Sequence, residues 1–368
     1  MRQFLLVAHR WVALVFGVLV FAVALSGSAI VFEGTMDRAL NPALWHVRAR
    51  GPAVSLDTVI ARAHARVTNA VVDGISLSAA PDRAHVVEAG ATQVFVDPYT
   101  GAVLGTRTAT EWNQSLPRRL HVLHVSLMGG PAGRDIVGVV TIVALLLVLT
   151  GVILWWPDKI WRVRWSASWK RIIFDAHHAL GVIAAIVLVV VTGSGLVIHY
   201  RTLNRLMYGL DASPAPRPPR QPRASAGSAD PISADSVYRA AVVALPGARV
   251  MFLQLSPEPD EPFVAAMRFP EDHTPAGRSR VFVDRFTGRP LLVSSTRQAQ
   301  LGTRLGNVIR SVHTGDLLGK PTEAIWLLAT LVLASQAVTG VIMWWNARPA
   351  RRARVRRAGL ATRDPRTT

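Results

Sequence analysis

The chain has 368 residues, half of them hydrophobic, a formal net charge of +18 and a mean hydropathy of +0.30. That is too apolar for an ordinary soluble protein and too polar for a compact transporter, so a few spanning helices with sizeable water-facing parts are expected. Cysteine is absent, which excludes a disulfide framework, a thiolate metal site, a cysteine nucleophile and c-type haem attachment.

Four stretches reach the roughly 20 apolar residues that a bilayer core requires. They are Trp11–Phe32, Ile136–Trp156, Leu180–Tyr200 and Ala324–Trp345. Ala22-Val23-Ala24 mimics a processing site, but the first stretch is long for a signal peptide and reads as a retained anchor. Arg2 and Arg10, then Lys159, Arg162, Arg164, Lys170 and Arg171, then the cluster Arg348 to Arg357 all fall on one side of the helices. The positive-inside rule puts that side in the cytoplasm, with both termini. The basic charge is thus a topology signal rather than a nucleic-acid footprint, and the Arg-rich tail reads as a contact for anionic lipid. Trp155, Trp156, Trp161, Trp165, Trp344 and Trp345 fall where an interfacial aromatic belt belongs.

The two long loops, about 33–135 and 201–320, share a plan. In the first, a helix over Ser55–Thr68 precedes strand-like alternation at Gly74–Ala79, His85–Ala89 and Gln93–Val96. In the second, a helix over Ser233–Leu245 precedes Arg249–Leu255, Phe263–Phe269 and Ser279–Val283. The turn Val94-Phe95-Val96-Asp97-x-x-Thr100-Gly101 returns as Val281-Phe282-Val283-Asp284-x-x-Thr287-Gly288; Asp caps such a turn and Gly accepts its positive φ. A Pro-, Ala- and Arg-rich stretch over Ser213–Ser228 reads as a linker. The helices repeat as well. His124 precedes a helix closing with Thr150-Gly151 and Trp155-Trp156, and His313 precedes one closing with Thr339-Gly340 and Trp344-Trp345. The expected architecture is a four-helix transmembrane bundle with two external α+β domains, built by internal duplication.

These features carry a resemblance. His9-Arg10-Trp11, Leu123-His124-Val125-Ser126-Leu127, His177-His178-Ala179-Leu180-Gly181, His313-Thr314-Gly315-Asp316, the two helix ends and the two turns resemble the PepSY-associated transmembrane family over roughly residues 3–347. The resemblance includes inner-membrane ferric-siderophore reductases and iron-regulated membrane proteins. It implies two periplasmic PepSY-like domains, b-type haem held between histidines, and a bacterial inner-membrane location. The corresponding division of the chain is 1–35 (first helix), 36–118 (first PepSY-like domain), 119–157 (second helix with its His-bearing entry), 158–176 (cytoplasmic loop), 177–201 (third helix), 202–230 (linker), 231–305 (second PepSY-like domain), 306–347 (fourth helix with its entry) and 348–368 (basic tail).

The histidines sort by depth. His9 and His177 sit at the cytoplasmic starts of helices one and three, each 18 residues before a glycine, Gly27 and Gly195. His124, His313 and His199 lie at external helix ends. Bis-imidazole ligation needs two histidines on facing helices at one depth, which His9/His177 and His124/His313 satisfy, one from each half. His199 competes for the external site. His178 is about 100° around the helix from His177, so only one of them can aim at the same iron. His121 lies on the face of His124 and is a candidate partner for a haem propionate, as are Arg134, Arg201 and Arg310. The Thr-Gly pairs read as small residues for close approach.

The expectation is an electron-transfer protein with one or two haems b. It would take electrons from a cytoplasmic or quinol donor and reduce a ferric siderophore or other iron chelate outside the membrane, with no catalytic acid, base or nucleophile. The alternatives are a non-enzymatic membrane-anchored module regulating a periplasmic peptidase or other partner, and a transporter of an iron chelate.

Overall fold

The computed structural model describes residues 1–361 apart from 69, 213–218, 221–229, 257, 259 and 275, with side chains as far as residue 347. Most of the expected linker and the side chains of Arg351–Arg357 lie outside the described residues. The elements in chain order are α1 (Arg2–Ile30), α2 (Glu33–Leu40), α3 (Pro42–Trp45), α4 (Leu56–Arg66), β1 (Val72–Ser76), β2 (His85–Ala89), β3 (Thr92–Val96), β4 (Val103–Thr108), α5 (Ala109–Gln114), α6 (Leu116–Ser126), α7 (Gly130–Trp155) and α8 (Trp169–His199). They continue with α9 (Arg201–Tyr208), α10 (Ala234–Ala244), β5 (Arg249–Gln254), β6 (Phe263–Arg268), β7 (Ser279–Val283), β8 (Pro290–Ser294), α11 (Leu301–Thr314) and α12 (Lys320–Ala361). The chain forms two units: Met1–Val31 with Leu120–Tyr200 and Val312–Thr368, and Phe32–Arg119 with Arg201–Ser311.

The first unit is a bundle of α1, α7, α8 and α12, all long and apolar enough to cross a membrane. Such segments are helical in lipid because a helix satisfies its backbone groups internally. The bundle turns large apolar side chains outward; Val15, Val18, Ile183 and Ile186 are each more than 60% exposed, a surface suited to acyl chains and not to water. Helix α1 packs on α7 and α12, and α8 packs on the same two, so α1 and α8 stand at opposite corners. The helices start earlier than hydropathy alone suggests, because their first turns are polar: α1 begins at Arg2 and α8 at Trp169. His9 and His177 therefore lie about two turns inside their helices, not at the starts.

On the side where α7 gives way to α8, Asp175 is completely buried and draws Arg164 and Arg171 to within 3.0 Å and 2.8 Å, which fastens the connecting loop. Arg2 pairs with Asp158 at 2.8 Å, so the start of α1 lies on the same side as that loop.

The second unit is one eight-stranded sheet, fully antiparallel, in the order β4-β3-β2-β1-β5-β6-β7-β8. Residues 36–118 and 231–305 thus contribute two four-stranded meanders to a continuous sheet, joined where β1 pairs with β5. Gly74 is required at that seam: a Cβ there would stand 2.5 Å from the Leu253 carbonyl oxygen. Helices α4 and α10 bury Val59, Ala63, Val237 and Ala241 against one face of the sheet, over Val87, Val94, Leu253 and Val281. Their N-termini are cross-capped. Asp57 accepts from the Ala234 N–H at 2.8 Å, and Asp235 accepts from the N–H groups of Leu56 and Asp57 at 3.0 Å and 3.1 Å. The Asp-turns form as their residues dictate. Asp97 accepts from Tyr99 and Thr100, Asp284 from Phe286 and Thr287, and Gly101 and Gly288 take φ of +70° and +73°.

Candidate functional site

Four histidines of the bundle unit have their Nδ1 atoms engaged in a repeated way. His9 Nδ1 lies 2.8 Å from Thr150 Oγ1 on α7, and His177 Nδ1 lies 2.8 Å from Thr339 Oγ1 on α12. Each threonine donates its one proton to its own helix, Thr150 to Leu146 O at 2.7 Å and Thr339 to Ser335 O at 2.8 Å. The hydroxyl oxygen must then accept from the imidazole, so Nδ1 carries the proton and Nε2 is the lone-pair nitrogen. Gly151 and Gly340, next to the threonines, face the rings: a Cβ at either would stand 3.6 Å and 3.7 Å from Cε1, in ordinary van der Waals contact. The Thr-Gly pairs therefore do more than allow close approach; they orient the rings.

The other two histidines reach the bundle by chain reversals. Past α6 the backbone takes positive φ at Leu127, Met128 and Gly130, and past α11 at Gly315. His124 thereby sits on α1, with Nδ1 2.9 Å from Val23 O, and His313 sits on α8, with Nδ1 3.0 Å from Val191 O. A carbonyl only accepts, so Nδ1 again carries the proton and Nε2 the lone pair. Glycine makes both seats possible. A Cβ at Gly27 would stand 2.8 Å from His124 Cε1, and one at Gly195 would stand 3.0 Å from His313 Cε1. The glycines that mark 18 residues after His9 and His177 are thus the resting places of the other pair.

The two levels are separated along α1 by the 14 to 18 residues from His9 to Val23 and Gly27, about 21–27 Å at 1.5 Å per residue. At one level the ring centroids of His124 and His313 are 6.1 Å apart with planes tilted by 37°. At the other, His9 and His177 line one cavity of about 360 Å³ between the opposite corners α1 and α8. Gly17, Gly151, Gly181 and Gly340 also line it, among apolar side chains such as Leu14, Val148, Val152 and Leu333.

Of the secondary candidates, His178 also lines the cavity, with Nδ1 2.8 Å from Phe174 O one turn earlier in its own helix; both neighbouring histidines thus reach the same space. His199 packs elsewhere: a Cβ at Gly138 would stand 2.5 Å from its Nε2, so that edge faces the α7 backbone. His121 stands on α6, three residues before His124. Arg134, Arg201 and Arg310 are exposed. Sequence reasoning missed Thr150 and Thr339 as ring partners, and missed Gln336, which lines the cavity and packs against Gly181. The constant spacing between the two Thr-Gly pairs was the available signal for the first two. Among the described residues no cluster of three or more metal-ligating side chains forms.

Four helices fit to cross a bilayer, with an antiparallel sheet unit beside them in the chain, define a multi-pass membrane protein. Residues 6–347 match the family described as the PepSY-associated TM region, and the chain belongs to that family. It matches no curated protein sequence.

Proposed function

We propose that the protein is a haem-containing electron carrier of the bacterial inner membrane that reduces a ferric chelate, such as a ferric siderophore, on the side of its sheet unit. The observation that carries this reading is the common state of four imidazoles in two pairs, each with its Nδ1 proton committed and Nε2 carrying the lone pair. A second-shell acceptor on the far nitrogen is how metal-binding histidines are oriented and made more basic.

The residues fit b-type haem. Two imidazoles bound to one metal at about 2 Å each hold their centroids roughly 6 Å apart, and His124 and His313 stand at 6.1 Å. His9 and His177 would hold a second group in the glycine-lined cavity. Haem bound at these positions supplies reversible one-electron exchange. The chain does the rest: Thr150, Thr339 and the Val23 and Val191 carbonyls fix ring tautomer and angle, and the apolar helices exclude water. The substrate leaves as Fe(II), which hard oxygen ligands hold less tightly than Fe(III).

Basic residues on the side of Arg2 and the 157–176 loop support cytoplasmic termini, and hence a periplasmic sheet unit. The halves, each with one helix packed on the sheet core (α4 or α10), four strands and an Asp-x-x-Thr-Gly turn, support two PepSY-like repeats arising by duplication. Reconstituted vesicles test the function. With a membrane-impermeant reductant on one side and ferric citrate on the other, Fe(II) should form across the membrane with the wild-type protein, and should not form with His124→Ala/His313→Ala. Equal rates for the two proteins would contradict the reading.

A further inference from the structure

Strand residues alternate between faces. Val87, Val94 and Val96 point toward α4 and α10, so Val86, Glu88 and Gln93 lie on the opposite face. That face carries a groove of about 500 Å³ running over β1 to β6, within the size range of small-molecule sites. Four arginines line it, Arg38 from α2, Arg83 from the β1–β2 connection, Arg107 from β4 and Arg268 from β6, against the single carboxylate of Glu88.

Arg107 is committed to the fold: it donates to Asp37 at 2.8 Å and twice to Gln93 Oε1. The other three have slighter engagements. Arg38 donates to Thr35 Oγ1 at 3.0 Å, Arg268 donates through Nε to Asp272 O at 3.1 Å, and Arg83 Nε is 3.9 Å from Asp82. A guanidinium has five N–H donors in a fork, so each keeps donors for a further acceptor. Arg38 and Arg83 also repel. Burial first, and then the charge of Arg83, hold the Arg38 guanidinium below its ordinary value, while Asp37 and Asp82 oppose the shift. An anion between them would offset the repulsion.

We infer that this groove binds a polyanionic chelate whose metal is held by carboxylate or catecholate oxygens, with Arg38, Arg83 and Arg268 as the clamp on its anionic rim. That the metal is iron awaiting reduction rests on the function proposed above; the anion selectivity does not.

Gallium(III) citrate separates the two, because gallium takes the place of Fe(III) and is not reduced. The full-length protein in detergent should bind it saturably, with affinity that falls as salt rises. Arg38→Gln/Arg83→Gln and, independently, Arg268→Gln should each weaken binding about tenfold or more, with the elution profile unchanged. A neutral gallium trihydroxamate should bind at least about tenfold more weakly than the citrate complex. No saturable binding to the wild type, equal binding to both variants, or equal affinity for the neutral complex would overturn the inference. Tight binding of gallium citrate without reduction of ferric citrate would overturn the electron-carrier reading and leave this one standing.

Discussion

Thr150 stands between the His9 ring and its own helix: it accepts the Nδ1 proton at 2.8 Å and gives its own to Leu146 O at 2.7 Å. Thr339 does the same for His177. Replacing either threonine by valine keeps the shape but removes the acceptor. Thr150→Val and Thr339→Val are expected to shift the absorption spectrum, raise the midpoint potential of bound haem and lower its occupancy, with serine restoring all three. Losing a second-shell partner typically costs about 10–100-fold in affinity, which haem titration of the purified protein would read.

The seats of His124 and His313 are steric. Gly27→Ala and Gly195→Ala put a methyl group 2.8 Å and 3.0 Å from the facing Cε1 atoms, so the rings must shift. Each variant is expected to weaken haem binding at the His124/His313 level and spare the His9/His177 level. Spectra in the Gly27→Ala background, with and without His9→Ala, separate the two contributions.

In the sheet unit, Arg107 and Asp37 form an ion pair whose side chains are 10% and 5% exposed. Removing one partner of such a pair strands the other, at a cost of about 3–5 kcal/mol. Asp37→Ala should lower the thermal midpoint of the sheet unit by several degrees, while Arg83→Gln, at a half-exposed site, should leave it almost unchanged. A hydrogen-exchange or limited-proteolysis melt confined to peptides of residues 72–108 would show it.

The sheet unit is also expected to weaken in acid. Burial pushes His85 down from 6.5 to about 4, and its Nδ1 accepts from the Ser78 N–H at 3.1 Å, a bond that a protonated ring cannot accept. Between these values the unfolded chain takes up a proton that the folded chain refuses, so this stability is complete above about pH 6.5 and is lost as pH falls toward 4, by up to about 1.4 kcal/mol per pH unit. Denaturant melts at pH 7 and pH 4.5 should show the loss, and His85→Asn should reduce the difference.

Much of this was legible in the residues. The spans follow from apolar length, the Asp-x-x-Thr-Gly turns from the need for a capping carboxylate and a positive φ, and the α4 and α10 starts from Ser55 and Ser233. Helix ends were not, because first turns such as Arg2–Val7 are mixed in polarity while still belonging to the helix. Strands β4 and β8 escaped as well: Val103–Thr108 and Pro290–Ser294 contain Gly105 and Pro290, which weaken a strand pattern. The nearness of His124 to His313 is consistent with the repeat spacing, but the chain reversals at Leu127–Gly130 and Gly315, which seat them on α1 and α8, depend on tertiary packing. So does the seam between β1 and β5, which joins the two four-stranded meanders into one sheet.

The most direct test is a pyridine haemochrome spectrum of the purified protein, counted per chain. Haem b is expected in the wild type, a reduced count in His124→Ala/His313→Ala, and none once His9 and His177 are replaced too. A folded wild-type protein expressed with ample haem and showing no Soret band, or a spectrum unchanged by loss of all four histidines, would contradict it.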